Sequence, residues 1–198
     1  NEPVPLYDPA IPTNNWRLQD EVGFEFPQDV VLPPGGYALV VNFDASDPAL
    51  AEAFRERYGM PAEAPLFGPY GGKLNNDGGR IELMRPDEPE PPGTPDAGYV
   101  PYVLAERIAY DAKAPWPTNN IGLGASLQRI DVAAFGNDPA NWMTSASSAG
   151  AGFSPCGTVA LISQQPTNQT VVGYRNFSAR FTVAASGPGP LRYQWFWN

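Results

Sequence analysis

Oxygen-bearing side chains gather in two short stretches of the chain, and these are the residues best suited to bind a ligand. They are Asn42, Asp44 and Asp47 in the first stretch and Asn75, Asn76 and Asp77 in the second. Carboxylate and amide oxygens are the ligands of Ca²⁺, a hard cation that takes six to eight of them. Neither stretch has the spaced carboxylates of an EF-hand, so the alternatives are a helix cap and a turn.

Two further patterns could carry catalysis. The run Gly122-x-Gly124-x-Ser126 could be an anion-binding loop or could present a nucleophile. No helix pattern follows it, and no histidine exists to activate Ser126, so a turn entering a strand is favoured. Glu88 and Glu90 could be a glycosidase pair, but they lie in a proline-rich loop where nothing would raise one pKa.

The residue counts exclude several classes of site. The chain has no histidine, which excludes Ser-His and Cys-His catalysis and most zinc sites. Its one cysteine, Cys156, cannot form an internal disulfide. We therefore expect no catalytic residue and no cofactor, with Ca²⁺ as a candidate ligand of the two oxygen-rich stretches.

Charge and hydropathy limit the partners. Twelve basic side chains stand against twenty-one acidic ones, giving a formal net charge of −9. Binding to a nucleic-acid backbone needs clustered Lys and Arg, so nucleic acid is not expected. No apolar run approaches the roughly 18 residues of a membrane span. The expected partners are other domains of the same chain, and protein or glycan ligands.

Glycine and proline indicate the fold class. Twenty-four Pro and twenty Gly predict many turns and few long helices, and hence an all-β fold. One helix is predicted over Asp47 to Tyr58, with Pro48 at its first position and Gly59 as its cap. Its Leu50, Phe54 and Tyr58 form one apolar stripe. A hairpin is predicted over Lys73 to Leu83.

Three other segments have readable roles. Val103 to Tyr110 is predicted to be a strand with Leu104, Ile108 and Tyr110 on one face. Trp116, held between Pro115 and Pro117, is predicted to be a plug over the core. In the strand from Ser126 to Ile130, Leu127 and Arg129 are predicted to share a face.

A small-residue segment from Ser145 to Gly152 separates two patterns, so domains are predicted at residues 1–153 and 154–198. In the second, alternating apolar residues predict a half-buried strand over Phe177 to Ala185. About 40 residues cannot bury a full sandwich core. We therefore expect an incomplete domain with Trp195 and Trp197 partly unshielded.

The first domain resembles the lamin tail domain as found in secreted bacterial proteins. The matching motifs cover roughly residues 4 to 145: Asn15-Trp16-Arg17-Leu18, Phe24-x-Phe26-Pro27, Leu32-Pro33-Pro34-Gly35-Gly36-Tyr37, Gly68-Pro69-Tyr70-x-Gly72-x-Leu74-x-Asn76, Ile81-x-Leu83, Asp111, Pro115-Trp116-Pro117, Gly122-x-Gly124-x-Ser126-Leu127-Gln128-Arg129 and Asn141-Trp142. The resemblance implies an immunoglobulin-like β-sandwich with one short helix and without catalytic residues. In that family a strand and loop precede Val4, so the first domain is expected to lack its opening strand.

The second domain resembles the first three strands of a bacterial immunoglobulin-like repeat, with Trp195 as its core tryptophan. The motifs are Gln165-Pro166-x-Asn168-Gln169-Thr170, the run from Phe181 to Ala185, and Pro190-Leu191-x-Tyr193-Gln194-Trp195. Together the resemblances imply a non-catalytic module of a larger secreted or cell-surface protein, serving in spacing, display or adhesion. The alternative is an accessory domain of a secreted hydrolase or nuclease, positioning substrate or binding carbohydrate with Ca²⁺.

Overall fold

The computed structural model describes residues 2–117, 125–153, 161–164, 166 and 178–186. The chain divides into two compact units, Asn1–Phe153 and Ser154–Asn198. The described residues form mostly strands in several sheets, with one α-helix, so the all-β prediction is confirmed. The sequence predictions for Gly122, Gly124, Trp195 and Trp197 fall outside the described residues.

The first unit is built from short strands, an α-helix and a 3-10 turn. In chain order they are β1 (Val4–Pro5), β2 (Tyr7–Asp8), β3 (Ile11–Asn15), β4 (Arg17–Asp20), β5 (Val22–Glu25), β6 (Val31–Leu32), β7 (Leu39–Val40), α1 (Pro48–Tyr58), β8 (Leu66–Phe67), β9 (Gly71–Gly72), β10 (Gly78–Pro86), β11 (Tyr102–Asp111), β12 (Ser126–Arg129), the 3-10 turn Pro139–Asn141 and β13 (Trp142–Ser145). The two long strands, β10 and β11, form the main hairpin of the unit, joined by the proline-rich loop.

The main sheet has five antiparallel strands in the order β11-β10-β4-β5-β9. Leu83 lies opposite Leu18, and Leu18 lies opposite Phe24. Because opposed residues share a face, these side chains and Ile81 make one face apolar. The residues between them, Gln19 and Glu82 among others, make the other face polar.

A β-bulge changes one predicted face. Leu83 lies opposite Glu106, whereas Met84 lies opposite Leu104, so Ala105 is an extra residue in β11. The bulge puts Leu104 on the polar face, away from Ile108 and Tyr110, and its side chain is 41% exposed. The prediction that all three share a face is therefore wrong for Leu104, because strict alternation assumes an uninterrupted ladder.

Aromatic rings join the main sheet to a smaller one. The strands β7 and β8 pair in parallel, and Phe67 of β8 lies 5.8 Å from Phe26 and 6.2 Å from Phe24, between ring centroids. Phe24 and Phe26 meet edge to face at 5.3 Å. Such pairs stabilise a core beyond the area that they bury. Phe26 is only 6% exposed, so this cluster forms part of the core.

The helix begins and ends as its sequence predicts. Asp47 caps its N-terminus, Pro48 is its first residue, and Gly59 takes the left-handed conformation at φ 61° just beyond its end. Its apolar stripe is only partly covered, because Leu50 is 47% and Tyr58 is 39% exposed. In the described part of the chain, no helix is long and apolar enough to cross a membrane.

The predicted hairpin over Lys73 to Leu83 is wrong. The strand before the turn, β9, pairs with β5, whereas β10 pairs with β4 and β11. The intervening residues 73–77 therefore cross from the edge strand β9 to β10, which lies between β4 and β11. Glu21 holds this crossing, since its main-chain oxygen accepts from Lys73 N and its carboxylate accepts from Asn75 N. The turn residues predict that the chain reverses direction, but they do not determine which strand β10 pairs with.

Trp142, the first residue of β13, lies against Trp116 from the segment after β11. Trp116 is 7% exposed and lies 5.9 Å from Trp142, between ring centroids. Its predicted role as a plug over the core is confirmed. Leu127 and Arg129 share a face as predicted, while Ser126 accepts a hydrogen bond from Gln128 on the other.

The second unit has one described ladder, formed by β14 (Leu161–Gln164) and β15 (Ala184–Ser186). The strand predicted over Phe177 to Ala185 is found only at its end, because residues 178–183 lie in no strand and Phe181 is 51% exposed. A strand needs a paired neighbour, and β14 supplies partners only for Ala184–Ser186. Phe177 lies outside the described residues.

Replacement of Trp116 by alanine should lower the free energy of unfolding by about 3–5 kcal/mol, as for other buried aromatic residues. The same change at Tyr99, whose ring is 64% exposed, should cost about 0.5 kcal/mol or less. Urea denaturation followed by tryptophan fluorescence and circular dichroism measures both. Equal losses for the two variants would contradict the placement of Trp116 in the core.

Candidate functional site

The first predicted calcium stretch serves the start of the helix. Asp47 Oδ1 accepts hydrogen bonds from Ala49 N at 2.9 Å and from Leu50 N at 3.3 Å. Asp44 Oδ1 accepts from both the amide and the hydroxyl of Ser46, and these bonds lower the pKa of Asp44. Asn42 is exposed beside them. Both carboxylates thus hold the turn that leads into the helix.

The second stretch serves the crossing into the main sheet. Asn75 Oδ1 accepts from Asp77 N at 3.0 Å, and the Tyr110 hydroxyl donates to Asn75 O at 3.0 Å. Burial and the nearby Glu21 carboxylate raise the pKa of Tyr110. Within the described ranges, no three Asp, Glu, His or Cys side chains are grouped to hold a metal ion. Calcium here would have to take amide and main-chain oxygens as most of its ligands.

The predicted catalytic candidates do not come together. Ser126 begins β12 opposite Ser145, and its hydroxyl accepts from Gln128 Nε2; among the described residues it donates to no carboxylate. Glu88 and Glu90 lie in the loop after β10, where the main chain of Glu90 pairs with Tyr99 and Gly98. Glu88 lines a groove that Glu90 does not line.

Glu82 is the buried carboxylate of the polar face, at 6% exposure. Its Oε2 accepts from Gln19 Nε2 at 2.8 Å, and its Oε1 accepts from Arg107 Nε and Nη2 at 2.6 Å each. The hydrogen bond from Gln19 and that from Arg107 lower the pKa of Glu82 despite its burial. A carboxyl held ionised in this way is unsuited to act as a general acid near neutral pH.

Two other acid–base pairs join neighbouring elements. Arg80 Nη2 donates to Asp20 Oδ1 at 3.0 Å, and the hydrogen bond to Arg80 is the main cause of a lowered pKa at Asp20. Arg129 Nη1 donates to Glu106 Oε2 at 3.0 Å and so connects β12 to β11. These carboxylates are therefore occupied by partners from the adjoining strands.

A cleft of about 520 Å³ opens between the apolar face of the main sheet and the β12–β13 hairpin. Ile81, Ile108 and Tyr110 line one wall, and Leu127 and Trp142 line the other. Pro117 and Ala125 also line it, and the chain between these two residues lies outside the described part. The walls are mostly apolar and bring no group of acids together.

A second groove, of about 370 Å³, lies where β1 and β2 meet the end of β10. We call it the Tyr7–Trp16 groove, after the two aromatic residues that line it. Its charged and polar lining is formed by Asp8, Arg85, Asp87 and Glu88. Prolines and Val4 complete the walls. Two aromatic residues and four charged residues thus line one concave surface.

The sequence patterns did not single out this groove. Trp16 belongs only to a motif of the lamin-tail resemblance, and neither Tyr7 nor Arg85 belongs to any of the sequence patterns above. These residues come together through the local β2–β3 hairpin and through pairings between β1 and β6 and between β10 and β4, which are distant in sequence. The acidic side chains Asp87 and Glu88 in the proline-rich loop were the available hint.

Replacement of Glu82 by glutamine should reduce stability at neutral pH and flatten the acid limb of the stability profile. The folded-state pKa of Glu82 lies below its ordinary value of 4.5, so its contribution is fully present above about pH 4.5. That contribution is lost as the pH falls through the lower folded value. Melting temperatures of both proteins from pH 2 to pH 8 measure the effect.

The control is Glu56→Gln, at an exposed position of the helix. It should leave the shape of the profile unchanged. A constant difference between wild type and Glu82→Gln at every pH would contradict the lowered pKa.

Comparison of the chain with protein-family models, with curated proteins and with solved structures finds no match.

Proposed function

We propose that this chain is a non-catalytic structural and interaction module of a larger secreted or cell-surface protein, serving in spacing, display or adhesion. The observation that carries the proposal is that Glu82, the buried carboxylate of the main sheet, is held ionised by its partners Gln19 and Arg107. An acid–base catalyst needs a pKa near the working pH, whereas the partners of Glu82 hold its pKa below the ordinary value. The carboxylates of Asp20 and Glu106 are likewise paired with arginines.

The finer description of the fold belongs to the same proposal. The first unit would be a lamin-tail-like, immunoglobulin-like β-sandwich, and the second would be the start of an immunoglobulin-like repeat. Support comes from the antiparallel main sheet, its apolar face, and the Phe67 contact with Phe24 and Phe26. Modules of this architecture pack their inward side chains against one another and present loops at their ends. An extracellular location follows from the resemblance to secreted bacterial proteins.

The test of the non-catalytic role is a search for turnover. The chain should hydrolyse none of a panel of glycoside, ester, phosphodiester and peptide substrates. Turnover that survives purification and disappears in Glu88→Gln, but not in Glu90→Gln, would contradict the proposal. Glu90 is the matched control, because it belongs to the same acidic loop but does not line the groove.

A second candidate function is an accessory domain of a secreted hydrolase or nuclease that positions substrate or binds carbohydrate with Ca²⁺. The Tyr7–Trp16 groove favours it, because aromatic rings beside hydrogen-bonding groups suit a sugar. The catalytic domain would then lie elsewhere in the longer protein.

The calcium part of this candidate predicts a calcium-dependent melting temperature. Binding to the native state alone stabilises by mass action, so added CaCl₂ should raise the melting temperature and EDTA should lower it. Asp77→Asn should abolish the response if the Asn75–Asp77 turn is the site. An unchanged melting temperature in EDTA would exclude calcium at both predicted stretches.

A further inference from the structure

The backbone of the Tyr7–Trp16 groove is held on several sides. Trp16 N donates to Leu6 O at 2.9 Å, and Trp16 O accepts from Phe26 N at 3.0 Å. Tyr7 lies opposite Asn15 in the β2–β3 ladder, and Asp87 N donates to Pro101 O at 2.9 Å. Leu6, which precedes Tyr7 and accepts from Trp16 N, is 4% exposed. A site on such a fixed backbone has little ordering entropy to lose on binding.

The polar groups of the groove are largely unpaired within the part of the chain that the structure describes. The Tyr7 hydroxyl, the Trp16 indole N–H and the Arg85 guanidinium have no hydrogen-bond partner there, and neither does the Glu88 carboxylate. Asp8 and Asp87 each use only Oδ1, accepting from Ala10 N at 2.8 Å and from Glu88 N at 3.0 Å. The lining therefore offers both donors and acceptors beside two aromatic rings.

The donors, acceptors and aromatic rings of the groove favour some classes of ligand over others. A simple organic cation would suit the rings and the carboxylates, but it offers no acceptor to Arg85 or to the indole N–H of Trp16. An anionic ligand would meet three carboxylates against one arginine. An uncharged sugar has an apolar ring face for Tyr7 or Trp16 and hydroxyls that both donate and accept. A groove of about 370 Å³ lies near the lower end of the range of small-ligand sites.

We propose that the Tyr7–Trp16 groove binds an uncharged saccharide, with the aromatic rings against the sugar face and with Arg85, Asp8, Asp87 and Glu88 bonded to its hydroxyls. This inference deepens the carbohydrate-binding candidate above and rests on it. The proposed binding does not require calcium, because side chains of the groove make its hydrogen bonds. It also does not depend on the proposed role of the chain as a spacer.

The experiment is titration of the whole chain, labelled with ¹⁵N, followed by heteronuclear NMR. The probes are neutral cello-, xylo-, manno- and chito-oligosaccharides, with sialyllactose as the anionic probe and choline as the cationic probe, all in EDTA. The chain has five tryptophans, so few indole N–H signals need assignment. Binding of a neutral oligosaccharide should shift the Trp16 indole signal and leave that of the buried Trp116 unmoved.

Arg85→Ala should weaken this binding by about tenfold, the loss expected when a hydrogen bond to a charged group is removed. The Arg85 side chain is exposed and has no hydrogen-bond partner among the described residues, so the variant should fold normally. Arg180→Ala, an exposed arginine of the second unit, is the matched control and should bind like the wild type. Trp16→Phe should also weaken binding, because it keeps a ring but removes the N–H donor.

Each other outcome overturns the inference. No binding of any neutral probe at millimolar concentration would do so, and so would binding that Arg85→Ala leaves unchanged. Binding of choline alone would make the groove a cation site. Failure here leaves the non-catalytic module standing, because that proposal is tested by turnover and not by sugar binding.

Discussion

One ionised side chain links three strands of the main sheet. Glu82, in the middle of β10, which lies between β4 and β11, accepts from Gln19 on β4 and from Arg107 on β11. A slip of one residue in either ladder would carry Glu82 to the apolar face and leave a charge without partners, which is strongly unfavourable. The register of the sheet therefore depends on this contact. The same register places Leu18, Phe24, Ile81 and Leu83 together on the apolar face.

The two faces of the main sheet have different roles: one packs against other elements of the unit, and the other carries charged side chains. On the apolar face, side chains pack against the Phe67 strand and toward the β12–β13 hairpin, which stabilises the unit. On the polar face and at the strand ends, charged groups meet solvent. Paired carboxylates such as Glu82 serve the fold, whereas most polar side chains of the Tyr7–Trp16 groove have no side-chain partner within the described ranges. Recognition is thus assigned to the end of the sheet, where the rigid strands hold loop residues in place.

Local patterns predicted the local features well. The helix followed from Asp47, Pro48 and Gly59, because capping chemistry is encoded within a few residues. The burial of Trp116 followed from its flanking prolines. The sequence did not predict which face of the sheet Leu104 lies on, because the bulge at Ala105 depends on how β11 pairs with β10. The pairing of β10 with β4 and β11 was also not predicted. It depends on contacts with Glu21, Gln19 and Arg107, which lie in segments distant in sequence. The groove was missed for the same reason.

The most direct test of the role of Glu82 is a double-mutant cycle with Arg107, using Glu82→Gln, Arg107→Gln and the double variant. Unfolding free energies measured at pH 7 should show a favourable coupling between the two side chains, and at pH 3 the coupling should shrink as Glu82 takes up a proton. Additive losses at pH 7, with no coupling, would contradict the claim that this contact holds the strands in register.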